Sequence, residues 1–204
     1  MTKHAEEFQI LGDVGYYWSV YEPTVKCDVS CTALKVSSGL VLIDPVPLAD
    51  AAWKELLEIA SVRAILLTNG NHVREADAMR KRHKVPIVTM GATRRDIIEI
   101  KCDVVLLETE LLYGITPIAI PGATPGETAF CSNAGAMVIG DAIINTSTEK
   151  GLELLPDKYC DDPEQNKLSL KKLLSYDFHT LTFAHGTPVT SHAKEKLGAL
   201  LNQS

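Results

Sequence analysis

Short apolar segments dominate the first 44 positions of the chain, and their composition is typical of β-strands. Three strands are predicted, at Tyr16 to Tyr21, Cys31 to Val36 and Leu40 to Asp44, because these segments are rich in β-branched or aromatic residues. Ser37-Ser38-Gly39 separates the last two strands and indicates the turn of a hairpin. The amino-terminal part of the chain is therefore expected to be sheet.

A helical repeat begins near position 48. Apolar residues recur there at spacings of three and four, which predicts an amphipathic helix from Leu48 to Ala60 packed on a sheet. Strand and helix patterns then alternate up to position 107. Strands are predicted at Ala64 to Leu67, Pro86 to Met90 and Asp103 to Leu107, and helices at Asn71 to Arg82 and Ala92 to Glu99.

Short strands joined by Gly and Pro turns return after Gly114. Strands are predicted at Thr116 to Ile120, Glu127 to Ser132, Ala136 to Gly140 and Thr180 to Ala184, and helices at Glu164 to Ser175 and Ser191 to Leu201. Residues 145–162 are polar and are expected to be irregular. Strand-rich segments with helices in both halves predict an α+β fold, a four-layer αββα sandwich of two sheets covered by helices.

The length of 204 residues fits one domain, spanning residues 1–204. The chain has 20 Lys and Arg against 26 Asp and Glu, a net charge of −6. An apolar share of 46% with 23% charged residues is that of an ordinary globular protein and excludes a disordered chain, a fibre or a coiled coil. An acidic chain is not expected to bind nucleic acid, because binding to phosphate is driven by cations.

No apolar run approaches the roughly 18 residues of a membrane-spanning helix, so no membrane association is expected. The segment Met1 to Glu7 is acidic where a signal or transit peptide would be basic and then apolar, so a cytoplasmic location is expected. Five scattered cysteines with no C-x-x-C pair predict reduced, buried thiols. Nothing in the sequence indicates an oligomeric state.

Four loop segments with polar residues each follow a predicted buried strand. They are Thr68 to Arg74, Pro121 to Gly126, Gly140-Asp141 and His185-Gly186. Because a strand fixes the position of the loop that follows it, layered folds build their sites at such strand ends. The four segments are therefore expected to meet at one edge of the molecule.

The order and spacing of these segments resemble the metallo-β-lactamase fold over nearly the whole chain. The resemblance is carried by Leu42-Ile43-Asp44, Leu66-Leu67-Thr68, the Pro-Gly-x-Thr-Pro-Gly turn at 121–126, Gly140-Asp141 and His185-Gly186. It implies an αββα sandwich and a metal-dependent hydrolase. It also implies one or two ions, usually zinc, held by an H-x-H-x-D-H segment, a P-G-H-T-P-G turn, the G-D aspartate and the H-G histidine.

The sequence departs from this family pattern at most of the ligand positions. Five positions lack the family's ligand and carry Asn69, Asn71, Val73, Arg74 and Ala123 instead. Only Asp141 and His185 keep it. Because catalytic zinc normally takes three protein ligands, no metal is expected at the usual positions. An eroded site with little or no hydrolysis of β-lactams, thioesters or phosphodiesters is predicted.

Two interpretations of the charged residue Arg74 remain open. Its guanidinium can replace the charge of the metal by forming a salt bridge with Asp141. Alternatively, it lies on the solvent face of the first helical turn.

His72 lies one position after the place of the second family histidine. With Glu75, Asp141 and His185 it offers the donors of a rebuilt site for zinc or another divalent metal. The interpretation that the sequence favours is a helix-start histidine that faces solvent or packs locally, because metal sites seldom tolerate a change of register. Asn71 is expected to cap the helix that follows, and Asn69-Gly70 is expected to be an ordinary turn pair.

Two functions follow from this pattern. The first is a metallo-β-lactamase-superfamily protein, a metal-dependent hydrolase by resemblance, with an eroded metal site and doubtful catalysis. The second is a non-catalytic protein that binds a small molecule or a protein partner in the former active-site cleft. The candidate binding residues share a place in the loops at the strand ends and are Asn69, Asn71, His72, Arg74, Asp141 and His185.

Overall fold

Seven strands form the first sheet and lie in it in the order of the sequence. In the computed structural model, which describes residues 3–96, 100–147 and 149–203, they are β1 (Gln9–Ile10), β2 (Gly15–Glu22), β3 (Cys27–Val36), β4 (Gly39–Ile43), β5 (Val62–Leu66), β6 (Ile87–Met90) and β7 (Val104–Leu106). The first four are antiparallel. From β4 to β7 neighbouring strands are parallel, because a helical crossover separates each from the next.

The later strands of the chain are β8 (Ile115–Ala119), β9 (Thr128–Ser132), β10 (Ala136–Ile139), β11 (Ile143–Ser147), β12 (Gly151–Leu154) and β13 (Thr180–Phe183). Four of them form the second sheet, in the order β13-β10-β9-β8. Strands β10 and β13 are parallel, while β11 and β12 form a separate antiparallel pair.

Five α-helices and two 3₁₀ helices are found among the described residues. They are α1 (Asp50–Ile59), α2 (Ala76–His83), α3 (Gly91–Asp96), α4 (Pro163–Leu173) and α5 (Ala193–Gln203), with 3₁₀ helices at Gly70–His72 and Asp157–Tyr159. Residues 97–99, where the helix predicted from Ala92 continues, lie outside the described residues. None of the helices formed by the described residues is long and apolar enough to cross a membrane.

Alternating side chains of the strands define the layers. Along β4, Leu40 and Leu42 pack in one apolar cluster with residues of α1 and α2, while Val41 packs in a second cluster that also contains residues of β9 and β10. Along β10, Val138 belongs to this middle cluster, whereas Met137 packs with α4 and α5. Each sheet is thus covered by helices on one face and by the other sheet on its second face. The predicted αββα sandwich is confirmed.

The short strand β1 is not predicted by the sequence, and β3 begins at Cys27 instead of Cys31. Two longer segments also differ from the prediction. Residues 145–162, expected to be irregular, contribute to β11 and contain β12 and a 3₁₀ helix. The side chains of β12 are only half-buried, so the segment carries no clear apolar repeat. The helix predicted from Asn71 to Arg82 begins at Ala76, because Arg74 has φ 40° and a left-handed residue interrupts helical hydrogen bonding.

All five cysteines are free thiols. Cys31 and Cys131 are buried, as predicted, whereas Cys27, Cys102 and Cys160 are half-buried. The prediction of buried thiols is therefore wrong for these three.

Helix α4 offers a matched test of the outer layer. Leu170 is fully buried against the second sheet, while Leu168 on the same helix is 58% exposed. We expect Leu170→Ala to lower the free energy of unfolding by about 2 to 5 kcal/mol, because it leaves a cavity. Leu168→Ala is expected to change it by less than about 0.5 kcal/mol. Urea denaturation of both variants measures the difference, and equal effects would contradict the packing of α4 on the sheet.

Candidate functional site

Polar residues that follow four strands lie together where the two sheets meet. Asp44 follows β4, Thr68 follows β5, Asp141 follows β10 and His185 follows β13. Strands β4 and β5 are parallel, as are β10 and β13, so each pair presents its carboxyl ends at the same edge. A hydrogen bond from the backbone N–H of Thr128 to the carbonyl of Thr68, 2.7 Å long, joins the two sheets beside the site.

The carboxylate of Asp141 lies at the centre of the cluster. Its Oδ1 is 3.3 Å from Nε2 of His72 and 3.1 Å from Nε2 of His185. Its Oδ2 accepts a hydrogen bond of 3.0 Å from the side-chain amide of Asn69. One donor atom each from His72, Asp141 and His185 lies within 4.8 Å of the others. The structure therefore brings together three of the four residues of the rebuilt site that the sequence offers, and Glu75 is not in this group.

The ring of His72 is fixed from behind. Its Nδ1 lies 3.0 Å from Oδ2 of Asp44 and 2.7 Å from Oγ1 of Thr68. Thr68 in turn donates to both oxygens of Asp44, through its backbone N–H at 2.9 Å and its hydroxyl at 2.5 Å. His72 is 3% exposed, so the interpretation that it faces solvent or packs only locally is wrong. The 3₁₀ turn that ends at His72 directs the ring inwards.

His185 is held in a similar way by the start of β3. Its Nδ1 lies 3.2 Å from the carbonyl oxygen of Asp28 and 3.4 Å from Sγ of Cys27. In both histidines, Nδ1 therefore faces protein acceptors and Nε2 faces Asp141. Ligating histidines are commonly oriented by such a partner on the second ring nitrogen.

Asn69 is fully buried and bridges two carboxylates. Its Nδ2 donates to Oε2 of Glu127 at 2.7 Å and to Oδ2 of Asp141 at 3.0 Å. Its Oδ1 accepts the backbone N–H of Asn71 at 2.9 Å, which makes Asn69 the N-cap of the 3₁₀ helix. Asn69 is therefore not an ordinary turn residue, because its buried side chain caps the 3₁₀ helix. The prediction that Asn71 is the cap is wrong, because Asn71 is exposed and contributes only its backbone N–H.

Glu127 is buried at the end of this network. It accepts hydrogen bonds from Oγ1 of Thr124 at 2.9 Å and from the backbone N–H of Ala142 at 3.3 Å. Gly140 makes this approach possible, because a Cβ there would lie 2.6 Å from Oε1 of Glu127 and 2.5 Å from Oγ1 of Thr68. The small residue thus lets two polar side chains from different loops reach the centre.

Arg74 takes neither of the two positions expected for it. Its Nη1 donates to the carbonyl oxygens of Ser30 at 2.9 Å and of Asp44 at 3.4 Å, so the guanidinium points inwards and not to solvent. Among the ion pairs of the described residues there is none between Arg74 and Asp141, whose oxygens are taken by His72, His185 and Asn69. The salt bridge proposed from the sequence is not formed.

The electrostatics of the cluster follow from its burial and its charges. Burial and Arg74 lower the pKa of His72, but the carboxylates of Asp141 and Asp44 outweigh them and raise it to about 9. Burial also raises the pKa of Asp141, but the two histidines hold it well below its usual range. The pKa of Glu127 is raised to about 7 by burial and by the charge of Asp141.

Three donors of this kind fit a single divalent metal ion. Ligands about 2.0 Å from a tetrahedral ion lie roughly 3.3 Å apart. The distances of 3.3 Å and 3.1 Å from Asp141 to the two histidines match that separation. Ala123 is buried and supplies no donor at the position of the family's turn histidine, so the described donor group stays at three.

Sequence reasoning missed the supporting residues of the site. The sequence places Asp44 at the end of a strand and in the Leu42-Ile43-Asp44 motif of the family resemblance, without predicting its contact with His72, although an acid directly after the apolar run Leu40 to Ile43 is itself a signal of a buried polar role. Glu127 was assigned only to the start of a strand. No local signal identifies it, because its partner Asn69 is 58 residues away in the chain.

The pH dependence of the metal-free protein tests the environment of His72. Because its pKa in the folded state is above the ordinary value of about 6.5, protonated His72 stabilises the fold below that pH, and this contribution is lost as the pH rises through about 9. We expect a smaller decrease of unfolding free energy between pH 6.5 and 9 in His72→Gln than in the wild type. Urea denaturation across this range measures it, with the exposed His192→Gln as control.

The same pH slope in wild type and His72→Gln would mean that Asp44 and Asp141 do not hold a proton on this ring.

Solved structures with the same fold share little sequence with the chain. A metallo-β-lactamase from Pontibacter korlensis has a TM-score of 0.73 at 14% identity, covering 97% of this chain and 99% of that one. Another, from Hirschia baltica, has a TM-score of 0.71 at 17% identity, covering 98% of each chain. TTHA1623, in a di-iron-bound form, has a TM-score of 0.67 at 21% identity, covering 91% and 97%. At these identities the likeness shows the fold.

The sequence itself matches a family model. No curated protein matches the sequence of this chain. The model described as the metallo-beta-lactamase superfamily matches residues 12–202, which confirms the resemblance seen in the motifs. Because this match spans nearly the whole chain, the protein belongs to the metallo-β-lactamase superfamily.

Proposed function

We propose that the protein is a metal-dependent hydrolase of this superfamily with a single-metal centre, in which His72, Asp141 and His185 hold one divalent ion. The observation that supports this proposal is the convergence of the two Nε2 atoms on one oxygen of Asp141, at 3.3 and 3.1 Å. Catalytic zinc sites use three protein ligands and leave a further position for water or substrate.

The partners of the two rings support the same proposal. Nδ1 of His72 faces the carboxylate of Asp44, and Nδ1 of His185 faces the carbonyl of Asp28, so both Nε2 atoms are directed to the centre. The side chains of Asp141 and His185 are 13% and 15% exposed. A substrate in the cleft therefore has access to the centre from the side of these two residues, while His72 closes its inner side.

The residues at the other family positions argue against a two-metal centre. None of the five residues at these positions carries an imidazole or a carboxylate; they are Asn69, Asn71, Val73, Arg74 and Ala123. We therefore propose an eroded form of the family site that binds one ion, with His72 as the third ligand beside Asp141 and His185. A divalent ion held by His72, Asp141 and His185 would supply Lewis-acid chemistry at the bond to be hydrolysed. Two imidazoles and a carboxylate suit zinc, iron or manganese.

A second candidate function is a metal-free cleft that binds a polar small molecule or a protein partner. This function is favoured by Arg74, whose guanidinium hydrogen-bonds to the carbonyl oxygen of Asp44. A permanent positive charge at this place repels a divalent ion. In this case Asp44 and Asp141 pair with protonated His72, and the polar side chains at the cleft provide hydrogen bonds to the ligand.

Metal content separates the two functions. We expect protein purified without a metal-binding tag, and loaded with Zn²⁺, to retain about one ion per chain by elemental analysis. Replacing a ligand normally lowers metal affinity strongly, so Asp141→Ala and His72→Ala are expected to lose it. Glu75→Ala is the control, since this acid lies one helical turn from His72 but outside the donor group, and it is expected to keep the ion.

A folded wild type that retains no zinc, iron or manganese would exclude the single-metal hydrolase and favour the binding cleft. Retention by Asp141→Ala would place the ion elsewhere.

A further inference from the structure

The side chain of Asn69 uses both of its N–H donors and its carbonyl oxygen inside the site. It is 0% exposed, and its amide nitrogen donates to Glu127 and Asp141 while its amide oxygen accepts from the backbone of Asn71. A flipped amide would turn its oxygen towards two carboxylates and lose the bond to Asn71. The chemistry of its partners therefore fixes its orientation.

Asn69 also divides the two oxygens of Asp141 between two tasks. Oδ2 is 3.0 Å from the amide nitrogen, and Oδ1 is left facing His72 and His185. With Oδ2 tied in this way, the carboxylate cannot rotate to present both oxygens to the histidines. Residues that hydrogen-bond to a ligating carboxylate set its orientation, and their loss typically lowers metal affinity 10- to 100-fold.

The amide nitrogen of Asn69 lies between the carboxylates of Glu127 and Asp141. It lies 2.7 Å from Oε2 of Glu127 and 3.0 Å from Oδ2 of Asp141, and both acids are buried. Two buried carboxylates so close to one donor need a positively polarised group between them. Asn69 provides this group without a charge of its own.

We infer that the amide of Asn69 is the positioning group that restricts the centre to one metal ion, by bridging Glu127 and Asp141 in place of a second ion and aiming Oδ1 of Asp141 at the histidines. This inference rests on the proposed function for the first ion. The bridge itself is a property of the chain and is tested by metal stoichiometry without any measurement of hydrolysis.

The test compares Zn²⁺ binding to three variants and the wild type by isothermal titration calorimetry and elemental analysis. Asn69→Asp replaces the donor by a third carboxylate beside Glu127 and Asp141. Because three buried carboxylates require a cation, we expect it to bind one ion more than the wild type, two against one. Asn69→Ala removes the bridge without adding charge, and we expect its Kd for the first ion to rise 10- to 100-fold at unchanged stoichiometry.

Asn71→Ala is the matched control. Asn71 lies in the same 3₁₀ helix and is exposed, and only its backbone contacts Asn69, so stoichiometry and Kd are expected to stay within twofold of the wild type. Near-ultraviolet circular dichroism in the presence of Zn²⁺ checks that each variant is folded. If Asn69→Asp does not fold, Asn69→Ala decides, and a Kd within twofold of the wild type would overturn the inference.

The remaining outcomes separate the inference from the proposed function. Two ions bound by the wild type, or one ion bound by a folded Asn69→Asp, would overturn the inference and leave the metal-dependent function standing. No ion in the wild type but one in Asn69→Asp would support the bridge and exclude the single-metal hydrolase. No ion in any of the proteins would overturn both.

Discussion

The carboxylate of Asp141 is the group on which the rest of the site depends. Asp141 follows β10 in the second sheet. Two of its partners, His72 and Asn69, come from the loop after β5 in the first sheet, and a third, His185, follows β13 in the second sheet. A buried carboxylate is costly unless its oxygens are hydrogen-bonded or paired with a cation. The two sheets bring their strand ends together in a register that satisfies both oxygens of Asp141.

The middle apolar layer holds the two sheets in this register. Val41 of the first sheet and Val138 and Phe130 of the second share one cluster, and the strands of Val41 and Val138 end beside Asp44 and Asp141. Nonpolar packing provides most of the driving force but little direction. The polar network adds the direction, since hydrogen bonds and ion pairs form over a narrow range of distances. A loss of packing in this layer would thus displace the carboxylates of the site.

The sequence allowed the sandwich and the edge that carries the site to be predicted, because apolar strands and the polar loops after them leave a local pattern. It did not allow the inward direction of His72 to be predicted. That direction depends on the 3₁₀ turn at Gly70–His72 and on the left-handed backbone of Arg74, with φ 40°, neither of which has a periodic signature. The role of Asn69 was hidden for another reason: an Asn-Gly pair is common in turns, and its partner Glu127 is distant in sequence.

The buried charges explain why Arg74 does not by itself replace a metal. Asp44, Asp141 and Glu127 bring three carboxylates to the cluster, and Arg74 brings one permanent cation, which leaves up to two negative charges, 3 − 1 = 2, to be balanced. The hydrogen bonds of Arg74 go to the carbonyls of Ser30 and Asp44, and it forms no ion pair with Asp141 among the described residues. The remaining negative charge is met by a proton on Glu127, whose pKa is raised to about 7, and at the histidines by protons or by a divalent ion. The Nε2 atoms of His72 and His185 can bind either a proton or a metal ion. A metal entering this site would therefore displace protons from the imidazoles and leave the surrounding hydrogen bonds in place.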